Sequence, residues 1–157
     1  MRIAVDIDDT LNILDRVRYA GEYIRRKELP FKLVDADAHA FAEVYDWTLD
    51  DVLTFVHEGG ITAFTDAPAR KGARETLAHW RVSAWFGNPE KVSRDWLEKR
   101  RIPYDSLVAD VPDKGAYCAE HGIDVLVDDN LGQCLSAQEK GVYAVLAVSR
   151  STLERAH

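Results

Sequence analysis

Met1-Arg2-Ile3-Ala4-Val5-Asp6-Ile7-Asp8-Asp9-Thr10 is an apolar run, Ile3, Ala4, Val5 and Ile7, that gives way to Asp6, Asp8, Asp9 and Thr10. An apolar run of this length with carboxylates at its carboxyl end predicts a buried strand that delivers acids to the rim of an α/β sheet. Asp6 and Asp8 project the same way if the strand continues, and a turn after Asp6 also brings both to one pocket. Two carboxylates that close repel unless a cation or a proton holds them. The expectation is an ionised Asp6 against a metal, with Asp8 the more readily protonated and suited to acid and base work. Taken alone, the cluster serves equally well as an acidic helix-capping turn with Asp9 or Thr10 as the cap.

Outward from that stretch, the 157 residues suffice for one ordinary domain with a small insertion. A content of 46% apolar and 30% charged residues is that of a globular protein. The net charge of −7 argues against binding a nucleic-acid polymer through a basic surface, so a phosphorylated substrate would have to be attracted by a local site or a cation. No apolar run approaches the roughly 20 residues of a membrane span, and no charged leader with an apolar h-region precedes the first strand. The expected location is cytoplasmic, without membrane partners. Cys118 and Cys134 lack metal-ligand or redox spacing and read as buried free thiols.

Ile13, Val17, Ala20 and Ile24 recur at helical spacing and predict an amphipathic helix ending before Pro30, with Arg25-Arg26-Lys27 as its solvated end. Ala40, Phe41, Val44 and Tyr45 suggest a second, shorter helix. Thr48 and Asp51 resemble a capping box, flanked by Trp47 and Val52 as a hydrophobic staple, and open a third helix that Gly59-Gly60 stops. Residues 11–71 are therefore a helical excursion, and residues 1–10 and 72–157 the α/β core. In the core, a short helix is expected over Ala73–Trp80, a strand over Arg81–Trp85, and a helix opened by Asn88 as N-cap and Pro89 in the first turn. A short strand over Leu107–Ala109, a helix opened by Pro112 and Asp113, a strand over Ile123–Val127, a helix over Leu131–Lys140 and a strand over Val142–Val148 complete the pattern. Strands alternating with helices predict a doubly wound parallel sheet.

Two strands thus end in paired acids, and parallel strands put their carboxyl ends on one edge. Asp6 with Asp128 or Asp129, plus a backbone carbonyl, makes an all-oxygen site that favours Mg²⁺ over Zn²⁺.

Asp6-Ile7-Asp8-Asp9-Thr10 matches the D-x-D-x-T signature of the haloacid dehalogenase-like phosphohydrolase superfamily, and Val127-Asp128-Asp129 resembles its closing acidic motif. Lys114 falls where that family's lysine is expected. The resemblance implies a Rossmann-like core with a C1-type helical cap. The stretch from Ile102-Pro103-Tyr104-Asp105 through Asp113-Lys114 and Gly122-Ile123-Asp124 to Asp128-Asp129-Asn130 looks like the 5'(3')-deoxyribonucleotidase-type branch. It further implies that Asp6 attacks phosphorus to give an aspartyl-phosphate, that Asp8 serves as acid and base, and that Mg²⁺ is held by Asp6, Asp8, Asp128 and Asp129. Lys114, Thr10 and Ser83 would bind the phosphoryl oxygens, and a small phosphate monoester such as a nucleotide would be the substrate.

One feature departs from the family pattern. Gly72 to Ser83 leaves only about two helical turns at ~1.5 Å per residue where a whole helix, turn and strand are expected. Ser83 is then either the phosphate ligand of a shortened unit or no replacement at all, which leaves open a phosphate-binding or regulatory module. Transfer of the phosphoryl group to a second substrate is also open. Phe41, Tyr45, Trp47 and Phe55 read as core before base-stacking, and Trp80, Trp85 and Trp96 as an exposed patch suited to a homodimer. His39, His57, His79, His121 and His157 have no metal-ligand spacing.

Overall fold

The computed structural model describes residues 1–36, 38, 40–77, 80 and 82–148. His39, His79 and His157, and the first residue of the expected strand, Arg81, lie outside the described residues. The chain divides into two compact units, residues 1–13 with 68–157 and residues 14–67.

The first unit is built on a parallel five-stranded sheet, β1 (Ile3–Asp6), β2 (Val82–Phe86), β3 (Leu107–Val108), β4 (Val125–Asp128) and β5 (Tyr143–Leu146), in the order β3-β2-β1-β4-β5. Central β1 is buried at every residue, because a parallel sheet covered on both faces leaves no solvated side for polar residues. The connections are α4 (Ala73–Leu77), α5 (Glu90–Lys99), α6 (Lys114–Glu120) and α7 (Leu131–Glu139). Ala4, Ala84, Phe86, Cys118, Ile123, Leu126, Ala137 and Val142 form one core cluster. Cys118 and Cys134 are buried free thiols. No helix among the described residues is long and apolar enough to cross a membrane.

Two short segments at the junction belong to this unit. Asn12 and Ala69 form an antiparallel bridge, flanked by bonds from Ile13 N to Pro68 O (2.9 Å) and from Arg70 N to Leu11 O (2.7 Å). These bonds place the division at residues 13/14 and 67/68, where hydropathy alone places it at 10/11 and 71/72.

The second unit contains α1 (Arg16–Lys27), α2 (Phe41–Tyr45), α3 (Leu49–His57) and a 3₁₀ segment, Gly60–Asp66. The Thr48–Asp51 capping box is formed in both directions. Tyr23, Tyr45, Trp47 and Phe55 are buried, with Phe41 packed against them, so these aromatics make the core of the unit.

Three sequence expectations are corrected. Trp85 and Trp96 are buried, at 2% and 1% exposure, and only Trp80 reaches the surface, so the three do not form an exposed patch. The reason is that Trp85 lies in β2 and Trp96 on the inward stripe of α5. Asn88 does not cap α5: the N-cap is Pro89, which has no side-chain cap bond. Ser83 is not at the carboxyl edge. The β1–β2 register runs Ile3 to Val82 and then Ala4 to Ala84, so Ser83 is the extra residue of a bulge near the amino end of β2.

Candidate active site

After Asp6 the chain makes one more sheet bond, Ile7 N to Phe86 O (3.0 Å), and then turns back. Ile7 O accepts from both Leu11 N (2.9 Å) and Asn12 N (3.1 Å), and Asp9 sits in the left-handed region at φ 58°. This turn ends strand alternation one residue past Asp6. Thr10 is thereby brought back over Asp6, and its Oγ1 donates to Asp6 Oδ2 at 3.1 Å.

The β4 end is set by its own turn. Asn130 N donates to Asp128 Oδ1 (2.8 Å), and Asn130 Oδ1 caps α7 through Gln133 N (3.2 Å). Since β1 and β4 are adjacent and parallel, Asp6 and Asp128 meet. Ligand oxygens of Asp6, Asp128 and Asp129 all lie within 4.8 Å of one another. Thr10 Oγ1 spans the two strands, 3.3 Å from Asp129 Oδ1.

Lys114 closes the cluster. Its Nζ donates to Asp6 Oδ1 and to Asp128 Oδ2, both at 2.7 Å, and lies 5.6 Å from the centroid of the Phe86 ring. The lysine is aimed by α7. Gln133 accepts from Lys114 N (2.8 Å) and donates to Pro112 O (3.0 Å), while Asp113 caps α6 through Ala116 N (2.9 Å) and accepts from Ser136 Oγ (2.7 Å). Gly115 allows the close approach of the two helices. A Cβ there would sit 2.5–2.8 Å from backbone atoms of Ser136 and Ala137.

One ammonium among several carboxylates leaves surplus negative charge. Burial pushes the Asp6 carboxyl up to about 8; Lys114 opposes that shift, and Asp128 and Asp8 add to it. Asp129 is raised as well, by burial first and by Asp128 and Asp9 next. Burial works against the charge on Lys114, but Asp6 and Asp128 outweigh it and hold its pKa above the ordinary lysine value. A hard divalent cation fits this donor set: the three grouped ligands are all carboxylate oxygens, and their excess charge is what such an ion neutralises.

Asp6, Thr10, Lys114, Asp128 and Asp129 are thus brought together, with Asp8 near enough to raise the Asp6 carboxyl, whereas Ser83 is not. The Asp8 carboxylate is outside the three-carboxylate group and accepts from Asn12 Nδ2 (3.1 Å). Ser83 lies down β2, and the edge of that strand is Phe86-Gly87-Asn88, which carries no hydroxyl. Four participants went unread in the sequence. Asn12, four residues from Asp8, had a local signal in its spacing; Phe86 and Gln133 reach the site only through the sheet or across helices, and Arg70, beside the Asn12–Ala69 bridge, donates to the Asp9 carbonyl.

No family model matches this sequence, and no curated protein matches it. Solved structures share its fold. A hydrolase from Streptococcus pneumoniae TIGR4 aligns over 99% of this chain and 96% of its own at TM-score 0.60 and 15% identity. A HAD family hydrolase from Deinococcus radiodurans R1, solved with bound phosphate and sodium, aligns over 98% of this chain and 86% of its own at TM-score 0.60 and 15% identity. A HAD family enzyme from Bacteroides thetaiotaomicron, solved as a magnesium complex, aligns over 98% of each chain at TM-score 0.57 and 15% identity. The chain has the α/β Rossmann-like fold of these hydrolases, as its sequence pattern predicts.

Proposed function

We propose that this protein is a Mg²⁺-dependent phosphatase that hydrolyses a small phosphate monoester through an aspartyl-phosphate on Asp6. The observation that carries the reading is Lys114 Nζ bridging Asp6 and Asp128 at 2.7 Å each, beside Asp129 and Thr10. The bound phosphate of the Deinococcus hydrolase and the magnesium of the Bacteroides enzyme, on the same fold, support it. Nucleoside monophosphates are the first substrates to test, on the resemblance of the segment from Ile102 to Asn130 to deoxyribonucleotidase-type proteins. The helical unit, residues 14–67, is proposed to be a C1-type cap.

In this reading an Asp6 oxygen attacks phosphorus as the ester P–O bond breaks, and Asp8 gives its proton to the leaving oxygen. Water then attacks the acyl phosphate, Asp8 takes its proton, and inorganic phosphate leaves with Asp6 restored. Lys114 holds positive charge at the transferring oxygens, and Thr10 keeps the Asp6 carboxylate turned to the edge. Asp6, Asp128 and Asp129 would hold Mg²⁺, which supplies the charge neutralisation a carboxylate needs to approach a phosphate dianion.

A panel of phosphate monoesters assayed for phosphate release, with and without Mg²⁺, tests this directly. Wild-type protein is expected to turn over at least one ester only with the cation, and Asp6→Asn to lose on the order of 10³-fold or more. An Asp6→Asn protein as fast as wild type removes the nucleophile. The hydroxyl-free edge of β2 favours a second reading, a phosphate-binding module without turnover. Phosphate binding with no release from any ester would select it.

A further inference from the structure

Asn12 is 2% exposed, beneath the turn that carries Asp8, and it spends both ends of its amide on that turn. The main-chain N–H of Asp9 donates to Asn12 Oδ1 at 2.8 Å. That bond fixes which way the amide faces, because only the oxygen can accept it. Nδ2 is therefore the end turned to Asp8, and it donates to Asp8 Oδ1 at 3.1 Å. Asn12 is itself anchored, by its N–H to Ile7 O and by the antiparallel bridge to Ala69. From the same junction, Arg70 donates through Nε (3.1 Å) and Nη2 (2.5 Å) to the carbonyl of Asp9. The left-handed backbone of Asp9, a conformation that costs an ordinary L-residue, is thus held from both its N–H and its C=O side.

We propose that Asn12 is a positioning residue that sets the orientation of the Asp8 carboxyl for proton transfer, without touching substrate. The inference rests on the phosphatase reading above. A buried asparagine is a costly choice unless each polar end is used, and here one end shapes the turn and the other aims the carboxylate. A carboxyl free to rotate still donates a proton, but spends less time where the leaving oxygen needs it.

The decisive measurement compares two ester classes at saturating Mg²⁺ in wild type, Asn12→Ala and Asn12→Asp. An alkyl phosphate needs its leaving oxygen protonated, and an aryl phosphate with an acidic phenol does not. Both variants are expected to lose on the order of 10–100-fold in kcat/KM for the alkyl ester and a few-fold at most for the aryl ester, with inhibition by inorganic phosphate unchanged. Asn12→Asp keeps an acceptor for the Asp9 N–H, so the turn survives even where the alanine variant does not fold. Crystals of Asn12→Asp are expected to show the Asp8 carboxylate rotated from its present position. Equal losses for both esters, or no loss for either, overturn the inference while leaving the phosphatase reading standing. A wild-type protein that releases no phosphate from any ester overturns the phosphatase reading, and the inference with it.

Discussion

β4 and β2 flank β1 on opposite sides and end at the same edge, yet they bring very different chemistry to it. The β4 side brings Asp128 and Asp129, and the α6–α7 pair beside it aims Lys114 through Gln133 and Asp113. The β2 side brings Phe86, whose ring faces the Lys114 ammonium, and then Gly87 and Asn88. One flank is an ion cluster held by several hydrogen bonds; the other is an aromatic wall. The contrast teaches that the charged, hydrogen-bonded part of a site and its apolar wall can be built on separate strands of one sheet.

Lys114→Met gives the strongest test of the β4 flank. Removing the ammonium that bridges Asp6 and Asp128 leaves buried carboxylates uncompensated, and should destabilise the metal-free protein by about 3–5 kcal/mol in chemical denaturation. Added Mg²⁺ should restore part of that loss, since a ligand that binds only the folded state stabilises it by mass action. No change in stability would mean that the bridge seen here is not formed in solution.

Gly115→Ala probes the helix pair that aims the lysine. A methyl group against the Ser136 and Ala137 backbone must push α6 from α7, at an expected cost of about 1–3 kcal/mol together with weaker Mg²⁺ binding. Thermal melts with and without the cation would separate the two effects.

Asp113 gives a subtler, pH-dependent signature of the same flank. Bonds from Ser136 Oγ and Ala116 N, with Lys140 nearby, hold its carboxyl down at about 2. Its folded value is below the ordinary aspartate value of about 3.9, so its stabilisation is complete above about pH 4 and disappears as the pH falls through about 2. Asp113→Asn should therefore flatten the acid limb of stability in that window and lower stability at neutral pH.

On the β2 flank the smallest effect is expected. Ser83→Ala should leave kcat/KM within about twofold of wild type, as for a substitution away from the site. A loss of activity comparable to that of a phosphate-binding residue would place Ser83 in the site and contradict its position in the bulge.

The sheet and its acidic ends could be read from the chain because burial on both faces demands continuous apolar runs, and Ile3–Asp6 and Val125–Asp128 each break from such a run into acid at the same relative place. The Thr48–Asp51 box was legible for a similar reason: both partners lie three residues apart and need no tertiary contact to find each other. What local pattern misjudged was register and facing. Ser83, Trp85 and Trp96 have compositions compatible with the edge or the surface, but a one-residue bulge and the inward stripe of α5 decide where they sit.

By itself, then, the sequence determined the α/β class and the identity of the acids, because hydrophobic period and acid placement are local properties of the chain. The tertiary structure alone decided that Lys114, 108 residues from Asp6, stands between Asp6 and Asp128, and that Phe86 backs the lysine. Those relations depend on strand order and on two helices packed at a glycine, neither of which has a counterpart in residue spacing.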